Sequence, residues 1–548
     1  MPQQDDFKSL SSRELVSKRG ADLIIINPGS DTLTLGLGSS ESPVHVPHAV
    51  AYATSDSKAA EEFGEDDSED VSGDRSHARE VAYLEASTSV RIQPQGQQWH
   101  APCVVRNEIQ GRLHPQMGNV LVGEQTESLK SSDPYRVWHP MVSGRLNPKR
   151  TRVEATRDLA HIWGRVVEER LGISNKRFAD FSVVLVVSED LSGVEVEILA
   201  DVILRELGFK DVVVHVEAIA ATFGQGCSGA CVVNLGSHTT TLCCVEDGII
   251  TPSSRVLLPY GGVCIGDSLL WLLRRQRSWS QQDFDPTTRP CDASELNRMV
   301  LRSCFLPAEG AERDVQRQIA SCPNAVLNIV SDDNVVSELQ LCLGPAACVA
   351  PMGYFHPDLF YSESERSRPP SLKTLSPLEA HWRELSAHPL HLAGDDDFHD
   401  DIYTDPVDET HSLADHHGAL GLDDAIVKSI SSIPRPHQRK RLYSSILLVG
   451  EYAGLRGLPD MLERRVLAAL PQDEITETVA VMEPKSDVRE AIWKGGVLLG
   501  ILEGGDHWVK KSDWLSGGVR VGDPVKYVKS ELVLSKLFWY FRAQQGTV

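Results

Sequence analysis

The chain has 548 residues, 41% of them hydrophobic and 24% charged, with a formal net charge of −23. That length can bury at least one large core and suggests two or more domains. Residues 1–20 are polar and no apolar run approaches membrane length, so the sequence argues against a secretory leader and a spanning helix.

Eleven cysteines include no CxxC pair, and several (Cys231, Cys243, Cys244) sit in apolar runs. Structural thiols in a reducing compartment are expected rather than a disulfide framework. The acidity is uneven. Residues 56–80 hold ten acids and three bases, and residues 395–424 hold eleven acids and no base. These patches carry −7 and −11, which leaves about −5 of the net charge for everything else. Such segments ordinarily stay solvated, and a field of that sign attracts basic partners such as histones and repels bare DNA.

In chain order, residues 1–20 read as a polar tail and residues 22–37 as a hairpin. The acidic stretch 56–80 lacks apolar periodicity and reads as a loop. From Thr151 the pattern sharpens: Leu159, Ile162, Trp163, Val166, Val167 and Leu171 recur at helical spacing before Gly172, a C-cap residue. Phe181 to Val187 is a buried-strand run, and Ser188 is placed at the start of a helix that runs to Gly208. Val212 to Val216 is the next strand, Glu217 to Phe223 a short helix ending at Gly224, and a second hairpin follows. Ile265 to Leu273 is helical, and a helix is expected near 293–304. Residues 361–418 hold proline, serine, histidine and aspartate without periodicity and read as a long insertion. Ile446 to Val449 is a strand, Gly450 to Gly457 a glycine-bearing turn, and Pro459 opens a helix. A strand (Thr478 to Met482), a helix (Val488 to Leu502) and an aromatic tail (Phe538 to Phe541) complete the pattern. Strands alternating with helices mean an α/β architecture.

The two hairpins rhyme. Asn27-Pro28-Gly29-Ser30-Asp31-Thr32-Leu33-Thr34-Leu35 and Asn234-Leu235-Gly236-Ser237-His238-Thr239-Thr240-Thr241-Leu242 share one N-x-G-S-x-T-x-T-L frame. Each reads as a strand, a tight glycine turn and a returning strand, with N–H groups and small hydroxyls left for an anion such as phosphate. A duplicated, two-lobed fold follows.

Duplicated phosphate hairpins and a later strand–glycine turn–helix resemble the actin, sugar-kinase and heat-shock-chaperone ATPase superfamily. Trp138 to Gly144, Leu343 to Phe360 and Trp493-Lys494-Gly495-Gly496 narrow the resemblance to the actin branch. Cys243 to Gly248, Leu420 to Ile426 and Tyr443-Ser444-Ser445-Ile446 are similar to the actin-related protein eight class, called nine in plants. The resemblance covers about residues 21–548 apart from the insertions. It implies an actin-like α/β fold around a nucleotide cleft. The first lobe would span 21–225 with insertion 56–80, the second 226–500 with insertion 361–418, and 501–548 would return to the first. It also implies a nuclear subunit of the INO-eighty chromatin remodeller. Its partners there would be a motor-subunit helix, actin, actin-related protein four, and histones or nucleosomal DNA.

By the same resemblance, the cofactor is ATP, held by Asn27, Gly29, Ser30, Asp31 and Thr32, by Glu217, by Asn234, Gly236, Ser237, His238 and Thr239, and by Gly450, Glu451, Tyr452 and Gly454. An actin-type ATPase has a carboxylate where Asn27 and Asn234 stand, a lysine at Thr34 and a glutamine at Glu217. Neutral amides attract a hard cation such as Mg²⁺ poorly, so binding with little hydrolysis is expected and Mg²⁺ is left open. Glu217 would add negative charge near the attacked phosphate. Glu451 and Tyr452, where actins have a glycine pair's second member and its successor, would narrow the cleft. An empty pocket kept as a hinge is the plain alternative. The rival function is an active ATPase or kinase of the same superfamily.

No catalytic residue or metal ligand set is assigned. His381, His388, His391, His399, His411, His416 and His417 lack the spacing of a metal site. The basic clusters Lys149-Arg150-Thr151-Arg152 and Arg439-Lys440-Arg441 suit nuclear import, a phosphate contact or a solvated face.

Overall fold

A computed structural model describes residues 20–54, 72–92, 118–129, 133–275, 290–308, 312–321, 343–360, 420–471, 478–502 and 507–517, with short strands at 108–109, 325–330 and 336–341. The tail 1–19, most of both acidic stretches, all seven grouped histidines, residues 361–419 and the aromatic end lie outside them.

Each hairpin seeds one sheet. In the first, Leu23–Pro28 pairs antiparallel with Thr32–Leu37 and parallel with Ser182–Val187, which lies parallel to Asp211–Val216. In the second, Gly229–Leu235 pairs antiparallel with Thr240–Glu246 and parallel with Ile446–Val449. The central strands are continuous apolar runs because both faces are covered, as a strand with a parallel neighbour requires. Ile24, Ile25, Ile26 and Val183 to Val187 all have no exposed surface. One core forms around the first sheet and the helices Arg152–Leu171, Glu217–Gln225 and Ala491–Leu502, and a second around the other sheet and the helices Gly262–Arg275 and Leu422–Ser431.

Helix ends follow local chemistry. Thr151 caps Arg152–Leu171 through a capping box with Glu154, and Gly172 closes it at φ 68°. The next helix starts at Gly193 rather than Ser188, because Ser192 forms the capping box with Glu195. The expected strand at Thr478 to Met482 is reduced to a single bridge, Val481 to Ile446. The loop assigned to 56–80 is also shorter than expected. A helix occupies Ser72–Ser89, and Ala82, Ala86 and Val90 bury small apolar faces in the second core. Alanines carry too little hydropathy to show as a stripe among acids. Residues flanking 361–419 share one partner: the Tyr260 hydroxyl donates to the Leu420 carbonyl at 2.6 Å, and its ring packs 5.4 Å from that of Phe360.

Neither basic cluster is a free patch. Arg150 is 6% exposed, bonded to Asp158 at 2.6 Å and stacked 4.2 Å from the Trp138 ring, while Arg152 reaches Glu197. Arg441 pairs with Glu246, and Arg439 donates to the Ile433 carbonyl. The seven cysteines whose side chains are described, Cys231, Cys243 and Cys244 among them, are free thiols. Among the described residues no helix is long and apolar enough to cross a membrane.

Candidate functional site

The two glycine turns close identically. Gly29 N–H donates to the Thr32 carbonyl and Gly236 N–H to the Thr239 carbonyl, each at 3.1 Å. The glycine N–H groups are therefore spent inside the turns, contrary to the expectation that they would meet a phosphate. The next ones fill that place. Among the described residues nothing accepts from the N–H of Ser30, Asp31, Ser237 or His238. Successive unspent N–H groups at a tight turn form an anion-binding nest.

Strand registry brings Asn27 and Asn234 to the same depth at the ends of their strands, with Glu217 between them at the start of its helix. Asn27 Nδ2 donates to Glu217 Oε1 at 2.6 Å and Asn234 Nδ2 to Oε2 at 2.7 Å, so one carboxyl joins the lobes. Burial, reinforced by the nearby Glu189 carboxylate, pushes Glu217 up to about 8 against the pull of the two amides. At neutral pH the group is mainly protonated. That corrects the expectation that Glu217 adds negative charge near an attacked phosphate.

Further bridges join the hairpins. His238 Nε2 lies 3.1 Å from Asp31 Oδ1. Burial opposes the Asp31 charge, but His238 outweighs it and holds that carboxyl well below the usual range; reciprocally, burial lowers His238 and Asp31 raises it. The Ser143 N–H points at His238 Nδ1 at 3.3 Å, so that in the neutral ring Nδ1 accepts and Nε2–H bonds Asp31. Ser143 (φ 54°) and Gly144 (φ 77°) form the tip of a hairpin whose primed turn needs positive φ at both positions. Gly144 N–H donates to Ser30 Oγ at 2.8 Å, so this tip touches both glycine turns. Glu451 completes the set: its Oε2 accepts from Thr32 at 3.3 Å and from Ser237 at 3.2 Å.

Two carboxylates at the turns and an amide on the helix would be a metal-orienting set; here the turns carry amides and the helix a carboxyl. Both amides donate to Glu217, and no group of three or more metal-ligating side chains exists among the described residues. The residues present do not fit a resident Mg²⁺. The turn N–H groups do fit a phosphate.

The actin family model matches residues 19–290. Actin-related protein 9 of Oryza sativa subsp. indica is 28% identical, covering 98% of this chain and all of that one. Actin-related protein 9 of Arabidopsis thaliana is 28% identical over 96% of each, and actin-related protein 8 of Danio rerio 26% over 91% of each. Human actin-related protein Arp8 in its ATP-bound state superposes with a TM-score of 0.72 at 24% identity, covering 93% of this chain and 98% of that one. The chain is an actin-fold homologue of the actin-related proteins 8 and 9.

The residues named from sequence separate into three groups. Asn27, Ser30, Asp31, Thr32, Glu217, Asn234, Ser237, His238 and Glu451 meet between the lobes, while Gly29, Gly236 and Thr239 shape the turns behind them. Gly450 needs its glycine, since at φ 98° a Cβ would press on Asn234 Oδ1 and the Leu235 carbonyl. Tyr452 is 1% exposed, its ring laid over Gly262, and belongs to the second core. Gly454 ends the same short turn, near the Val488 side chain.

Sequence reasoning missed His48. Trp163 Nε1–H donates to its Nε2 at 3.2 Å, so Nδ1–H donates to the Gly29 carbonyl at 2.6 Å. Burial brings His48 down to about 4, keeping it neutral for this role. A buried tryptophan at Trp163 was legible as core; that its indole N–H needed a partner was the unused signal.

Glu217→Gln tests the bridge through pH. The carboxyl is raised from 4.5 to about 8 on folding, so its favourable contribution is complete below pH 4.5 and is lost as pH rises through 8. Glutamine keeps the shape, cannot ionise and gives up one amide bond. The variant should be slightly less stable than wild type at pH 5 and more stable at pH 9, a swing of about 2–4 kcal/mol in denaturant unfolding. Parallel stability curves would remove the raised carboxyl from the account.

Proposed function

We propose that this chain is a non-motor scaffold, an actin-fold subunit of a nuclear ATP-dependent chromatin remodelling complex. It docks on a helix of the motor subunit beside actin and actin-related protein four, contacts histones or nucleosomal DNA within the assembly, and holds ATP without efficient hydrolysis. The observation that carries the reading is Glu217 clasped by Asn27 and Asn234: the floor of the cleft is used as a bridge between lobes, not as a seat for a metal. Phosphoryl transfer depends on positioning and on metal stabilisation of charge worth several kcal/mol. Losing ~4 kcal/mol slows turnover about a thousandfold. The relatives named actin-related protein 8 and 9, and the ATP-bound state of human Arp8, support the ligand and the class.

Tagged chain recovered from nuclei should bring down actin and a large helicase-type motor, and the purified chain should release almost no phosphate from ATP over hours. Recovery as a free monomer would remove the scaffold. Ordinary ATPase turnover, lost in Asn27→Ala, would instead favour the enzyme.

A further inference from the structure

We propose that the Glu451 carboxylate is the chain's own stand-in for a phosphate, clamped between the two anion turns, and that ATP enters only by displacing it. The inference rests on the reading of the cleft as a nucleotide site and names the residue that sets its affinity.

One oxygen, Oε2, accepts hydroxyl hydrogens from Thr32 of the first turn and Ser237 of the second. That is how one oxygen of a phosphate held between twin turns would be bound. The backbone behind it is fixed. Gly450 runs flush against Asn234 and Leu235, where no side chain fits, and Tyr452 is locked over Gly262. The N–H of Gly262 in turn donates to the Gly236 carbonyl at 3.0 Å, so Tyr452 packs on the segment that backs the second turn. With both neighbours held, the side chain of Glu451 must swing away if the space between the turns is to change hands.

The charge around it makes that exchange consequential. Glu451 is partly buried, with Asp31 as a second carboxylate nearby and Arg489, itself bonded to Asp487, as a weaker opposing cation; burial and Asp31 together raise its pKa. Such a carboxylate is held by hydroxyl donors and not by an ion pair. A polyphosphate arriving there would meet two like charges at short range, one of which is removable.

The test uses the full-length chain as wild type, Glu451→Gln and Glu451→Gly, with ATP, ADP and inorganic phosphate titrated by calorimetry with and without Mg²⁺. Glutamine keeps the shape and removes the charge, so it decides the matter even if the glycine variant folds poorly. Both variants should bind ATP at least tenfold more tightly than wild type, equivalent to ~1.4 kcal/mol. ATP should also raise their melting temperatures by more than it raises that of wild type. An ATP affinity within fivefold of a wild type that itself binds would overturn the role of Glu451 and leave the cleft a nucleotide site. No binding of ATP, ADP or phosphate by any of the three would overturn it by removing the nucleotide site itself. Neither result touches recovery with a motor subunit, which tests the scaffold separately.

Discussion

Gly495→Ala should destabilise the chain by about 3 kcal/mol, although alanine in an open helix would stabilise by ~1 kcal/mol over glycine. The helices Glu217–Gln225 and Ala491–Leu502 cross with backbone against backbone. A Cβ on Gly495 would overlap the Ala220 carbonyl, and one on Gly224 would overlap that of Ala491. Neither obstacle is the far end of a flexible side chain, so the helices must separate. Glu217 begins the first of them, so separation also draws its carboxyl away from Asn27 and Asn234. The expected signature is a lower unfolding midpoint with an unchanged denaturant slope. A variant as stable as wild type would mean that the crossing tolerates a wider gap.

Asp158→Ala should cost about 3–5 kcal/mol, the largest effect expected of any single charge removal here. Asp158 has no exposed surface and accepts from Arg150 Nε at 2.8 Å and from the Tyr52 hydroxyl at 2.5 Å. Arg150, itself 6% exposed, would lose its buried partner and keep only the longer contact to the more exposed Glu154, at 3.4 Å, beneath the Trp138 ring. Arg150→Met combined with Asp158→Leu should recover much of the loss, because apolar replacement of both partners removes the stranded charge. Thermal and denaturant unfolding of the single and paired variants would show it. Equal losses in both would place the cost in packing instead of charge.

The twin hairpins were legible because each combines a local apolar run with a glycine turn, and the α/β alternation around them follows from strand and helix periodicity. Caps were legible where a hydroxyl and a carboxylate stand three residues apart, although Ser188 and Ser192 compete for one helix and only Ser192 has its glutamate at Glu195. What the sequence hides is contact across distance. Glu451 reaches Thr32 from 419 positions away, and no local pattern marks it as the group between the turns. The same holds for Gly144 on Ser30 and for His48 under Gly29. The Ser72–Ser89 helix was hidden differently, since its buried face is mostly alanine and one stacked arginine, Arg79 over Trp271.

The helix Ala491–Leu502 lies on the strands that begin the chain: a Cβ on Gly496 would press on Ile25 and Val186, and one on Gly500 on Val184 and Leu23. Val509–Lys510 then pairs with the edge of the same sheet at Asp211–Val212. On the ribosome these partners are made far apart in time. Roughly 290 residues separate the last of those strands from the end of the covering helix, an interval on the order of tens of seconds at ordinary synthesis rates. Throughout that interval one apolar face of the first sheet waits uncovered while the whole second lobe is being built. Newly made chain should therefore need that face shielded until Ala491–Leu502 emerges, and a product truncated before Ala491 should aggregate rather than act as a smaller working protein.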